Sequence, residues 1–352
     1  MIKVGLTYDL RQDYLDLGYG EEETAEFDRP DTIDNIESTL NSLGYETDRI
    51  GNIWQLNQRL VAGDRWDIVF NIAEGLYGIS REAQVPALLE AYNIPFTFSD
   101  PLVLCLTLHK GMTKRIFKDL GIPTPDFNLI EKIDDLKRIN LSFPVFAKPV
   151  AEGTGKGIDA SSRINDQFEL EEVCTRLLTV YQQPVLVEKY LPGREFTVGI
   201  VGTGTEARSV GVIEVVLLEN AEQHAYSYVN KEKCEELIEY RKCNDAESLE
   251  AEKTALAAWR GSGCRDAGRV DLRSDANRIP NVMEINPLAG IHPDHSDLPI
   301  ICKLYGIPYI ELIRMIMDSA IDRKNLSDSK IPPVGEMLLN KDLNNQKQSP
   351  SI

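Results

Sequence analysis

The chain has 352 residues, enough for about two or three domains of ordinary size and a substantial core. Its hydrophobic fraction of 42% and charged fraction of 27% are those of a globular protein in water. A net charge of −18 argues against a nucleic-acid backbone or an anionic membrane as main partner, although a few local lysines can still dominate one cleft and bind ATP.

The N-terminus, "MIKVGLTYDL", enters a strand directly and lacks the apolar run of a signal peptide. No stretch approaches membrane-spanning length. Cys105, Cys174, Cys234, Cys243, Cys264 and Cys302 are scattered without a C-x-x-C, so a reducing cytoplasm is the expected setting. Strands "IKVGLTY", "YETDRI", "WDIVFNIA" and "IPFTFS" interleave with helices "DTIDNIESTLNSLG" and "REAQVPALLEAYN", which predicts a small doubly wound parallel sheet. Ligands are expected beyond its strand C-termini, at Tyr8–Arg11, Ala73–Gly78 and Phe98–Asp100. The acidic stretch "QDYLDLGYGEEETAEFD" is too long for a routine strand-to-helix connection and reads as a functional loop or as a solvated excursion.

"LHKGMTKRIFKDLGIPTP" reads as a basic helix stopped by Gly121 and the prolines. After it the pattern is mostly β: "FPVFAKP", "QPVLVEKY", "EFTVGIVG" and "ARSVGVIEVVL". The helix "DAESLEAEKTALAAWRGSG", the strands "GRVDLR" and "NVMEINP", and helices within "LPIICKLYG" and "PYIELIRMIMDSAIDR" follow. From Ser329 the chain is polar with prolines, the composition of a disordered tail. The expected division is 1–108, an N-terminal α/β domain, then 109–191, 192–328 and the tail 329–352.

Within "KPVAEGTGKGI", Gly153, Gly155 and Gly157 surround Lys156 much as in a P-loop. Gly157 stands where the P-loop has Ser or Thr, and strands rather than a strand and a helix flank the segment. A glycine hairpin can still turn its N–H groups toward a phosphate; the residues alone leave that open beside an ordinary flexible hairpin. "GRVDLR" and "NVMEINP" are more telling. Period-two alternation puts Arg269 and Asp271 on one face and Glu284 and Asn286 on one face of the next strand. The polar "SDANRIP" between them allows a hairpin, which gathers two carboxylates, an amide and a guanidinium on one surface. Such oxygen ligands suit magnesium, with substrate phosphates in its remaining positions. In "VLVEKYLPGRE", Glu188, Lys189 and Glu195 interrupt an apolar run where a nucleotide base and ribose could be read.

In order along the chain, "EAQVPALLEAYNIPFTFS", "HKGMTKRIFKDLGIPTP", "FPVFAKPVAEGTGKGI", "VLVEKYLPGREFTVGIVG", "YSYVNKE", "GCRDAGRVDLR" and "MEINPLAG" resemble the ATP-grasp superfamily, and within it the D-alanine–D-alanine ligases. The likeness runs from Asp67 to about Arg323. It implies an ATP-grasp fold behind an N-terminal parallel-sheet domain, with a mobile glycine hairpin closing over ATP between two β-layers. It assigns Lys110 and Lys148 to the ATP phosphates and Gly153, Thr154 and Gly155 to the closing loop. Glu188, Lys189 and Leu191 would line the adenine and Glu195 the ribose. Lys231 would reach the γ-phosphate, and Arg269 would bind the acyl phosphate. Asp271, Glu284 and Asn286 would hold magnesium, with manganese as a substitute. Gly290 would sit at the acyl-acceptor site.

Departures from the ligases cluster at the substrates. "TYDLRQDYLDLGYGEEE" lacks the His-Glu pair that follows the first strand, Glu232 replaces a Tyr, "FTFSD" replaces Thr-Gly-Ser, and His109 replaces an Asp. The loop "PLAGIHPDHSDLP" is longer and carries His292, His295 and Ser296, which with Arg11 are the candidate substrate residues. Arg11 would suit an anionic group, or else pairs with the acidic loop beside it. The expected activity is ATP-dependent joining of a carboxylate to an amine through an acyl phosphate, on substrates other than D-alanine. The alternatives are an orthodox D-alanine–D-alanine ligase and a non-catalytic ATP-binding regulator. The expected partners are small-molecule substrates, not nucleic acid or membrane, and a homodimer is left open.

Overall fold

β1 (Lys3–Thr7) lies between β2 (Glu46–Gly51) and β3 (Ile68–Asn71), all parallel, in a three-stranded sheet. The computed structural model describes residues 1–222 and 234–327. Both faces of this sheet are covered by helices, so β1 and β3 read as apolar runs rather than alternating ones. The expected fourth strand, "IPFTFS", supplies only a single parallel bridge, Val69 to Phe96. Pro95 has no N–H to give, and Phe98 takes a positive φ of 70°, which ends the extended run. The Phe98 N–H instead donates to the Asp266 carboxylate at 2.7 Å.

The acidic stretch after β1 is not a solvated excursion throughout. It carries α1 (Arg11–Asp16), and it is anchored inward by Tyr14 and Phe27, both buried, with ring centroids 4.4 Å apart. α2 (Pro30–Ser42) follows, with Pro30 in its first turn and Ile33, Ile36 and Leu40 on its buried face. α3 (Ile53–Ala62), α4 (Gln84–Ala91) and α5 (Pro101–Leu108) complete this region.

α6 (Lys110–Asp119) leads into an antiparallel sheet ordered β4 (Phe127–Ile130), β7 (Val185–Lys189), β5 (Val145–Pro149), β6 (Arg163–Ile164). α7 (Gln167–Tyr181) covers it with Leu170, Val173, Cys174 and Leu177; the Asp166 carboxylate caps the helix by accepting the Phe168 and Glu169 N–H groups. The third sheet is also antiparallel, ordered β10 (Ile238–Lys242), β9 (Arg208–Leu217), β8 (Glu195–Val201), β11 (Ala267–Ser274), β12 (Pro280–Asn286). The helix Ala246–Gly261 packs Ala251, Ala255, Ala258 and Trp259 onto it.

The first and third sheets are joined through one core. Leu312, Ile313, Ile316 and Met317, from the last helix (Tyr309–Ser327), are fully buried between α2 and the helix Asp297–Leu304. Each such side chain contributes about 1.5–3 kcal/mol. The carboxylate of Asp266, entirely buried, seals the junction by accepting from the Phe98 N–H, Ser319 Oγ and the Arg323 guanidinium. No helix among the described residues is long and apolar enough to cross a membrane.

Candidate active site

A cleft lies between the second and third sheets and is lined by residues of both. Lys148, Lys189, Leu191, Glu195, Asp271 and Glu284 all line it, as does Ile158 of the glycine segment. β5 and β7 run antiparallel with Phe146 opposite Glu188, and Lys148 follows two residues on, along the same face. β11 and β12 form the expected hairpin, with Arg269 opposite Asn286 and Asp271 opposite Glu284.

Burial decides the electrostatics here. Glu188 is fully buried between Lys114 of α6, at 2.8 Å, and Lys148, at 3.1 Å. Burial pushes its carboxyl up, but the two ammonium groups outweigh that and hold it below the usual carboxylate range. Burial brings the Lys114 ammonium down to about 8 despite Glu188. Lys148 lies above its ordinary value, because Glu188 and Glu284 overcome its burial. The Glu188 carboxylate, expected against an adenine, is thus directed at two lysines, while Lys189 of the same strand lines the cleft.

Lys110 stands at the start of α6, its N–H bonded to the Val150 carbonyl and its ammonium 3.4 Å from Glu284 and 2.6 Å from the Glu152 carbonyl. Burial lowers its pKa, with Glu284 opposing. His109, where the ligases carry Asp, does a capping residue's work: its Nδ1 accepts the Met112 N–H at 3.2 Å. Asp271 pairs with the Arg269 guanidinium, accepts from Thr197 Oγ1 at 2.9 Å, and lies 3.3 Å from the Asn286 amide nitrogen. Arg269 also approaches Asp297, at 3.4 Å. No cluster of three or more His, Cys, Asp or Glu side chains suited to a metal occurs among the described residues. Two register-paired carboxylates and an amide remain as a donor set, their charge balanced by Arg269 and Lys110. That composition fits magnesium bridged to phosphates.

The glycine segment forms two successive tight turns, Lys156 N–H to Gly153 carbonyl and Ile158 N–H to Gly155 carbonyl, both 3.0 Å. Thr154, Gly155 and Gly157 take positive φ. Its lysine, which suggested a P-loop, is engaged elsewhere: Lys156 pairs with Glu152 at 2.7 Å and Glu26 at 3.2 Å. Lys231 lies outside the described residues.

The substrate residues read from sequence do not converge. Arg11 opens α1, and its guanidinium donates to the Glu21 carboxylate at 2.8 Å and the Glu21 carbonyl at 3.0 Å. Its partner here is thus its own acidic loop, the second of the two readings that its sequence position allows. The loop at 290–296 closes on itself. Ser296 Oγ accepts the His292 N–H at 3.0 Å and sits where a side chain on Gly290 would point. His292 Nδ1 accepts the Asp294 and His295 N–H groups, so Nε2 carries the hydrogen toward Asp31 of α2 at 3.1 Å. The His295 ring lies 4.5 Å from that of His292. These groups organise the loop. Sequence reasoning assigned no role to Glu26, Arg81, Lys114 or Glu152, and Lys156 drew notice only as a P-loop-like lysine; Lys114 carried a signal too, four residues after Lys110 on one helical face.

Comparisons with known proteins bear on family and fold. The family described as "D-ala D-ala ligase C-terminus" matches residues 116–318. The chain is 34% identical over 262 residues to an uncharacterized protein, y4sG, of Sinorhizobium fredii, covering 72% of this chain and 74% of that protein. It is 31% identical over 264 residues to a D-alanine–D-alanine ligase of Bordetella petrii, covering 74% and 78%. Among solved structures it resembles a D-alanine–D-alanine ligase from Bacillus anthracis complexed with ATP, with TM-score 0.70, 21% identity, and coverage of 92% and 99%. The VanG D-Ala:D-Ser ligase from Enterococcus faecalis follows at TM-score 0.69 and 18% identity.

A parallel-sheet domain followed by two antiparallel sheets, with lysines and paired carboxylates in the cleft between them, defines an ATP-grasp carboxylate–amine ligase. Within that class, the chain belongs to the D-alanine–D-alanine ligase family.

Proposed function

We propose that the protein joins a carboxylate to an amine through an acyl phosphate, in a magnesium-dependent reaction, on substrates other than D-alanine. The observation that carries the chemistry is the placement of Lys110, Lys148, Asp271 and Glu284 around one cleft. When bound, MgATP supplies the phosphoryl group that activates the substrate carboxylate; Asp271, Glu284 and Asn286 would hold the metal, and Lys110 and Lys148 the phosphates. Leu191 and Glu195 also line the cleft and would take the base and the ribose. Arg269 stands beside Asp271 to neutralise charge on the transferring group. Nothing in this scheme needs a protein nucleophile, since positioning and charge neutralisation suffice.

The altered-substrate part rests on the absence of a His-Glu pair after β1 and on the 290–296 loop, bonded within itself and to Asp31 of α2. The reading as an orthodox D-alanine–D-alanine ligase is favoured by the name of the Bordetella petrii relative. One experiment separates them: ADP formation by purified protein with MgATP, screened over D-alanine and other amino acids in pairs with small carboxylates. The proposal expects another pair to exceed D-alanine. D-alanine as the best substrate overturns the altered-substrate part, and no substrate-dependent ADP overturns the ligase reading.

A further inference from the structure

Outside the nucleotide cleft, a group of buried charges ties the glycine segment to the acidic stretch after β1. The Glu26 carboxylate accepts the Gly153 N–H at 2.6 Å, two contacts from Arg81 at 2.9 and 3.1 Å, and the Lys156 ammonium at 3.2 Å. Arg81 reaches on to the Ala151 carbonyl at 2.8 Å. Lys156 is shared with Glu152, at 2.7 Å, whose other oxygen accepts from Gln183 at 2.7 Å. The side chains of Glu26, Arg81 and Lys156 are only 7–8% exposed. Two carboxylates and two cations pair directly here, with Glu74 and Glu82 within electrostatic reach of Glu26 and Arg81.

Gly153 is cut to fit this arrangement. A Cβ there would stand 2.2 Å from Glu26 Oε1. The group also connects to the chemistry, because the Glu152 carbonyl accepts from Lys110, whose ammonium faces Glu284. The path Glu26–Lys156–Glu152–Lys110–Glu284 thus runs from the N-terminal domain to the candidate metal ligands. Buried ion pairs contribute little net stability but fix geometry sharply, since breaking one strands its partner.

We propose that Glu26 and Lys156 are positioning residues: together they clasp the glycine segment to the N-terminal domain and thereby set Lys110 against Glu284. Lys156 is a latch, not a phosphate ligand. The kinetic consequence rests on the ligase reading, whereas the clasp itself does not.

The test measures hydrogen exchange of ligand-free protein across 152–158 in wild type, Glu26→Gln, Lys156→Met and Lys156→Arg. Wild-type amides there should be protected, and the Gln and Met variants should exchange at least about tenfold faster, with Lys156→Arg staying near wild type and β8 and β11 unchanged in all. Turnover, with the substrate pair found by the ADP screen, should fall by at least about tenfold in the Gln and Met variants, while KM for ATP moves less than about threefold. Unprotected amides in wild type, unchanged exchange in both charge-removing variants, or equal damage from Arg and Met at position 156 would overturn the clasp. A raised KM for ATP at constant kcat would instead make Lys156 a nucleotide ligand and overturn its positioning role. If Glu26→Gln loses protection in β8 and β11 as well, the two Lys156 variants decide. The exchange arm needs no substrate, so it stands or falls separately from the ligase reading.

Discussion

Asp271 and Glu284 are register partners on adjacent strands, yet each is neutralised by a different cation, Arg269 for the first and Lys110 for the second. The two carboxylates therefore face one space without repelling each other. A divalent cation bridged to phosphates can enter only by displacing or sharing those cations, which then become available to phosphate oxygens.

Removing either charge should accordingly harm turnover more than folding. Asp271→Asn and Glu284→Gln are expected to lower ATP-dependent turnover by at least about a hundredfold and to raise the magnesium concentration needed for half activity. Thermal unfolding should stay cooperative in both. Near-wild-type turnover at limiting magnesium in both variants would remove the two residues from the metal site.

Glu188 is expected to matter for stability first. Glu188→Ala leaves Lys114 and Lys148 buried without their counter-charge, at a cost of about 3–5 kcal/mol. Urea unfolding should show it as a lower midpoint with an unchanged slope. A loss below about 1 kcal/mol would mean that the two lysines find water when the carboxylate is removed.

Much of this was legible in the sequence, and the exceptions have physical reasons. The β11–β12 hairpin could be read because polar residues at period two interrupt otherwise apolar strands; that alternation gives the shared face but not the register, which shifts after Asp271. α5, "PLVLCLTL", has no polar face to give it a helical period, so it passed unnoticed. β10, "IEYRK", is a short edge strand in which only Ile238 and Tyr240 turn inward, too few to mark an alternation. Glu26 was hidden in a different way: within "GEEETAEFD" nothing local distinguishes it from its exposed neighbours. Its burial depends on Arg81 and Lys156, 55 and 130 residues away. Long-range charge pairing leaves no periodic trace.

Arg11 illustrates the same point from the other side. Its partner Glu21 is 77% exposed, and surface pairs of this kind are worth about 0–1 kcal/mol. Arg11→Ala should shift stability within that range and leave KM for every active substrate unchanged. A selective rise in one substrate's KM would restore the substrate role that its sequence position suggested.

Asp28 carries a pH dependence. Burial first, and then the Asp9 carboxylate nearby, push its pKa up to about 8. The folded chain holds this proton between pH 4 and 8, where the unfolded chain has lost it. Stability from this group is thus full below the unfolded value near 4 and declines as pH rises toward 8. The slope is at most about 1.4 kcal/mol per pH unit for one proton. Asp28→Asn should flatten the stability profile between pH 5 and 8 and be relatively more stable than wild type at the upper end. Parallel profiles for the two proteins would show that Asp28 ionises normally in the fold.

Gly153→Ala attacks the clasp without removing a charge. The new methyl would meet Glu26 Oε1 at 2.2 Å, and the Gly153 N–H bond to that same oxygen leaves it little room to yield. Either the glycine segment lifts or Glu26 retreats from Arg81, and both loosen the contact between the two regions. The expected cost is about 1–3 kcal/mol in stability, accompanied by faster hydrogen exchange confined to 152–158. Gly63→Ala serves as the comparison. Gly63 closes α3 at a positive φ of 98° with open space around its Cβ direction, so its strain is local and far from the clasp. If the two substitutions lower stability alike but only Gly153→Ala frees 152–158, the close approach of Glu26 is what fixes the segment. Exchange across 152–158 that stays at wild-type rates in Gly153→Ala would show that the segment is held by its own turns, and that Glu26 follows it rather than holds it.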